Sequence, residues 1–223
     1  MTALLRYHAE LLLRSQRWLP PAILYAAFLA VGVQGGQPVL DSLGYTAAGL
    51  LPVAAWLVRI CVTGEPPAAR ACAAAPRGPA RAHLACLLTA LLAAALLGTA
   101  ATVVLTLISD PASNGDRVPV SRPAAGAAGL SAVLVCALLG AAVGALTHWP
   151  LLRGAGRAVP AMLLGALLAT VAAGSPARAA VGGLVTGSQS GRVPVPLLPL
   201  AGAVLLTAAA FALACALTAR RTP

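Results

Sequence analysis

Apolar runs of about bilayer-crossing length, roughly 20 residues, recur six times in this chain, near 19–35, 44–62, 84–108, 124–146, 158–173 and 197–217. Nothing constrains the fold more, because a segment entering hydrocarbon must satisfy its backbone hydrogen bonds within itself. Hydrophobic residues make up 60% of the 223 positions and charged residues only 9%, against roughly 25% charged in a soluble domain. The mean hydropathy of +0.90 agrees. The sequence therefore predicts an all-α polytopic membrane protein, six transmembrane helices in one domain spanning 1–223.

The fifteen basic residues are all arginine. A net charge of +10 on a soluble protein would point to nucleic acid, but nucleic-acid readers gather basic residues among aromatics, and aromatics here are 4%. No nucleic-acid partner is expected. The arginines instead flank the apolar runs, where guanidiniums meet lipid headgroups and set the direction of insertion. With six spans the connections alternate sides. Arg6, Arg14, Arg17, Arg59, Arg70, Arg77, Arg81, Arg153, Arg157, Arg220 and Arg221 then share the side of the termini. Arg117, Arg122, Arg178 and Arg192 lie opposite, with Asp41, Asp110 and Asp116. That bias places both termini in the cytoplasm.

The first and fifth runs are short. Pro20 with Pro21, and Pro160, are predicted to sit in first helical turns, where no bonded N–H is lost. Before the first run, Arg6, Glu10, Arg14 and Arg17 fall on one side of a helix and Leu4, Leu5, Leu11 and Leu12 on the other. Residues 2–17 are therefore read as an amphipathic interfacial helix, with Trp18 at headgroup depth. Glu10 stands four residues from both Arg6 and Arg14, so it can bridge them. The helix either anchors the N-terminus or meets a partner. A cleaved signal sequence fits poorly, because Val31, Gly32 and Val33 make a weak cleavage site.

Among the connections, 63–83 carries the clearest signals. Thr63 can cap, Glu65 sets negative charge near a helix start, Pro66 and Pro67 suit the first turn, and Pro76, Gly78 and Pro79 end it. A helix of about ten residues is too short to stand alone in water. The last outer connection, 174–196, has an apolar middle from 179 to 185 and reads as a re-entrant or interfacial hairpin. A solvated loop remains open, because Gly182 and Gly183 each disfavour helix by about 1 kcal/mol. Gly140 and Gly144 stand in GxxxG spacing, which permits close helix contact within one chain or between two. Thr99, Thr102 and Thr106 form a weakly polar stripe more typical of packing than of a substrate path.

Several chemistries lack their residues. Without lysine there is no P-loop lysine to reach nucleotide phosphates and no Schiff base. His8, His83 and His148 show no metal-binding spacing and are read as solvated or lipid-facing. Cys61, Cys72, Cys86, Cys136 and Cys215 form no Cys-x-x-Cys pair, and no disulfide is expected in a reducing compartment. No charged residue lies mid-span, which argues against a proton-coupled carrier. No catalytic, cofactor or metal site is expected in this chain.

The layout as a whole, with the opening LLRYHAELLLRSQRWLPPAILY and the segment GEPPAARACAAAPRGPARAHLA, resembles the membrane-spanning permease subunit of type-two ABC exporters of the small actinobacterial kind. The resemblance implies a bacterial inner-membrane permease, paired as homodimer or heterodimer around a translocation path. ABC-type ATPase subunits docked beneath would bind the ATP and Mg. It further implies an ATPase-coupling role for Glu65, Pro66, Arg70, Arg77 and Arg81, with His148 and Arg153 on the neighbouring connection. The competing expectation is a non-transporting integral membrane immunity or regulatory protein, which needs none of these roles.

Overall fold

The computed structural model describes residues 1–76, 78–113, 118–148, 151 and 154–221. Among them the chain is all helical: α1 Thr2–Ser15, α2 Leu19–Gly32, α3 Val39–Gly64, α4 Pro67–Ala74, α5 Pro79–Ile108, α6 Arg122–Thr147, α7 Ala155–Val171, α8 Pro176–Ser190 and α9 Leu197–Arg221. Four of these, α3, α5, α6 and α9, are long and apolar enough to cross a membrane. The pair α7 and α8, bent by 48° at a short break, passes as a fifth span if the two are taken together. The molecule is a multi-pass membrane protein. At 14 residues α2 rises only about 21 Å, short of a hydrocarbon core of roughly 30 Å.

The centre of the bundle is α3 against α6. Of their best membrane windows 61% and 67% of residues are buried, against 22% for α5 and 28% for α9. Small residues allow this approach. A methyl added at Gly140 would lie 2.8 Å from Ala54 Cβ and overlap the Leu51 carbonyl, and one at Gly144 would lie 2.7 Å from Val58 Cβ. The GxxxG pair is thus spent on an intrachain seam. α9 packs on the other side of α6, where Thr207 donates to the Leu138 carbonyl at 2.9 Å as well as back to Ala203. The apolar residues left over point outward, among them Leu96, Leu107, Leu164, Leu168, Leu198 and Leu205. An apolar exterior around a small-residue core is what a lipid solvent selects.

The helix ends sort into two sets. At one end the 33–38 connection pairs with the start of the 109–121 connection, with Val39 N–H donating to Asp110 O (3.0 Å) and Asp110 N–H to Gln37 O (3.1 Å). Gly191, left-handed at φ 69° after α8, sits against Val118 in the same place. At the other end lie α1, α4 and the C-terminal turns of α9, whose Thr218 shares a cavity with Glu65 and His83. α1 and the last turns of α9 therefore lie at the same end of the bundle.

Three local expectations need correction. Thr63 does not cap α4; it lies within α3 and donates back to Arg59 O at 2.7 Å, because α3 runs on to Gly64. Pro160 is not in a first turn, because α7 starts at Ala155; its missing N–H leaves the Gly156 carbonyl without a helical donor. Within 174–196 the solvated-loop alternative is the one that fails, because 176–190 are helical. Ser175 accepts from Ala177 N–H and Pro176 stands at the first helical position, so α8 starts well. Burial of Ala177, Ala180 and Leu184 then outweighs the cost of Gly182 and Gly183.

α2 lies at the edge of the bundle, held mainly to α3, and adds Tyr25 to the core. The Tyr25 hydroxyl, buried, donates to Thr46 O at 2.9 Å, and Phe28 stacks on Tyr45 with ring centroids 5.1 Å apart. Tyr25→Phe is expected to loosen this helix by about 1 kcal/mol. Faster hydrogen exchange confined to 19–32 is the readout, and unchanged exchange there would show the hydroxyl to be dispensable.

Candidate functional site

The polar groups of the arginine-rich end converge around α4. α3 ends at Glu65 in extended conformation, and Pro66 and Pro67 restart the chain as an eight-residue helix. Such a helix is held by tertiary contacts rather than by its own hydrogen bonds. Arg70 supplies them, donating to Val62 O at 2.8 Å and to Glu65 O at 3.3 Å, carbonyls at the end of α3 that lack helical donors. Its Nε lies 3.8 Å from Glu65 Oε2. The carboxylate is 6% exposed and the guanidinium 34%, so a nearly buried anion is tied to a cation that still touches solvent.

Two histidines join this pair. His8 on α1 and His83 on α5 are both buried, which corrects the reading of them as solvated or lipid-facing. His8 has one ring nitrogen toward the Ala82 backbone, while Nε2 is buried without a partner, as is Glu65 Oε1. Burial pulls the His8 imidazole below its ordinary range, against the opposing pull of the Glu65 charge. Partial burial, then the Glu65 charge, pushes the Tyr7 phenol up. A cavity of about 150 Å³ opens beside the cluster, lined by Val62, Glu65, Arg70, His83, Cys86 and Thr218.

His148 makes a second tie at the same end. Its ring, buried just beyond α6, lies 2.9 Å from Gly144 O through Nδ1 and 3.3 Å from Arg59 NH1 through Nε2. An arginine donates and a carbonyl accepts, so the pair of contacts fits a neutral imidazole with its proton on Nδ1. Burial, reinforced by the Arg59 charge and opposed by the Gly144 bond, lowers its pKa. Arg59 thereby joins α3 to the end of α6.

The remaining predicted residues are dispersed. Arg81 is exposed on α5, and Arg77 and Arg153 lie outside the described residues. On α1, Arg6 Nε meets Glu10 Oε1 at 2.9 Å in solvent, and Arg14 and Arg17 are exposed. The leucine side of α1 faces protein, with Leu12 buried and Leu11 lining a small cleft with Ile60 and Cys61. Trp18 packs partly against the core. His8 and His83 were the residues missed, although His8 sits one turn from both Leu4 and Leu12 and thus on the apolar face.

A separate feature lies between helices. α2, α3 and α7 enclose an apolar groove of about 570 Å³, lined by Tyr25, Phe28, Pro52, Trp56, Met162 and Thr170 among others. Pro52 has no N–H, so the carbonyl of Ala48, which also lines the groove, has no helical donor.

No protein-family model matches this chain, and no curated protein and no solved structure matches it either.

Proposed function

We propose that this chain is the permease subunit of an ATP-driven ABC exporter in a bacterial inner membrane, working beside separate ATPase subunits that bind ATP and Mg. In this reading it crosses six times with both termini in the cytoplasm: α3, α5, α6 and α9 as full-length spans, α7 with α8 as one broken span, and α2 as a short first crossing that needs the extended residues that follow it to reach the far interface. The gathering of α1, α4 and the end of α9 at one end supports an even number of crossings.

The observation that carries the reading is the way α4 is mounted. An isolated eight-residue helix would bend under load. This one is fixed to α3 by Arg70 on two carbonyls and a buried carboxylate, and it borders α5 and α9 through the shared cavity. A push on α4 would therefore reach three long helices as a rigid displacement. Its outward face is Ala68, Ala71, Cys72 and Ala75, small residues that let a partner approach closely. The groove between α2, α3 and α7 is the proposed wall of the path, closed by a second permease chain, and its apolar lining fits an amphipathic or lipid-like cargo.

The test is co-expression with the ATPase encoded nearest to this chain. The two are expected to purify together, with ATP hydrolysis stimulated. Ala68→Trp on α4 with Ala75→Trp at its C-terminal cap, both exposed, is expected to lower that stimulation at least tenfold while the permease still folds. If no ATPase accompanies the wild type, or the tryptophans leave stimulation intact, the non-transporting regulatory reading takes over.

A further inference from the structure

We propose that α1 is an acid-released clamp on the arginine-rich ends of α3 and α5, with His8 as its proton-sensitive latch. This does not rest on the permease reading.

α1 is built to come and go. Its 14 residues are near the lower limit for a stable helix in water. It is separated from α2 by Gln16 at φ 53°, a left-handed stop that breaks helical continuity. Its seat is narrow: Leu12 and His8 are its two buried residues. His8 sits there under protest. One ring nitrogen has the Ala82 backbone, and Nε2 is enclosed with no donor or acceptor to meet it.

The groups around that ring settle which protonation state the docked helix prefers. Tyr7 flanks it on α1. Cys61 and Glu65 face the site from α3 and its end, Arg70 from α4, with the exposed Cys72 nearer Tyr7, and His83 and Cys86 from α5. Glu65 would welcome an imidazolium. Arg70 opposes it, and burial opposes it more, so the docked His8 holds a proton more weakly than a free imidazole does. A released α1 exposes the ring, which then titrates near 6.5. The docked state binds fewer protons than the released state below that value. Docking is therefore fully favoured above about pH 6.5 and weakens as pH falls through the docked pKa.

The test uses the full chain in lipid nanodiscs, with Cys72 and Cys215 replaced by serine and nitroxides at Ala3→Cys and Thr63→Cys, both exposed positions. At pH 7.5 the pulsed-dipolar distance distribution should be single and short. At pH 5.0 a longer component should grow at least threefold while helix content holds, within a ceiling of about 30-fold for an imidazole free at about 6.5. His8→Phe should hold α1 docked at both pH values, and His8→Arg should release it at pH 7.5. A wild-type distribution that does not move with pH overturns the proposal. So does acid release that persists in His8→Phe, or an His8→Arg chain that stays docked.

Discussion

Gly140→Leu is expected to abolish recovery of a monodisperse protein from the membrane. Even alanine has nowhere to go: its methyl would overlap the Leu51 carbonyl and press on Ala54 Cβ at 2.8 Å. Backbone at that contact cannot rotate away as a side chain would, so α3 and α6 must part along the seam that forms the core. Overpacking costs typically about 1–3 kcal/mol, offset by up to about 1 kcal/mol because alanine suits a helix better than glycine. Leucine exceeds what the seam can absorb. Gly182→Ala is the control, since a methyl there meets nothing within 4 Å, and it should stabilise α8 by about 0.5–1 kcal/mol. Thermal unfolding in detergent should show opposite signs for Gly140→Ala and Gly182→Ala. Equal shifts would mean that the α3–α6 approach is not as close as described.

Arg70→Ala is expected to be the second most damaging change. It strips donors from the Val62 and Glu65 carbonyls and leaves a carboxylate that is 6% exposed without its cation. Breaking a buried pair from one side costs about 3–5 kcal/mol. The 3.8 Å separation and the partial exposure of Arg70 reduce that here to about 1–3 kcal/mol. Glu65→Gln should cost less, because the guanidinium keeps its two carbonyls and its contact with water. In a double-mutant cycle the pair should show coupling of at least about 0.5 kcal/mol. A Glu65→Gln chain less stable than Arg70→Ala would contradict this order.

Much of the fold was legible because the lipid solvent leaves few options. The runs near 44–62, 84–108, 124–146 and 197–217 each became a long helix, with boundaries that stayed in place or moved outward by up to five residues. α3, for instance, begins at Val39 and takes in Asp41, which hydropathy excludes, because a helix continues while its backbone hydrogen bonds do. The segment 174–196 resisted reading for the opposite reason. Its apolar middle suggested a re-entrant or interfacial hairpin while Gly182 and Gly183 kept a loop open, whereas α8 exists because neighbours bury its alanines and Leu184.

The candidate site was half legible. Glu65, Pro66 and Arg70 announced a short helix through proline and charge, and α4 is where they place it. What no spacing could reveal is that Glu65 is buried and that His8, seventy-five residues before His83, shares its surroundings.

By itself the sequence determined that this chain lives in a membrane as helices, and which ends gather arginine. Those are properties of composition and local order, fixed by transferring each segment between water and hydrocarbon. Only the tertiary structure decided that the GxxxG pair closes an internal seam, that α1 turns its leucines toward protein, and that a carboxylate and two imidazoles end up buried together. Those depend on which surfaces meet across long stretches of chain, and contact energies between distant helices leave no periodic trace in the sequence.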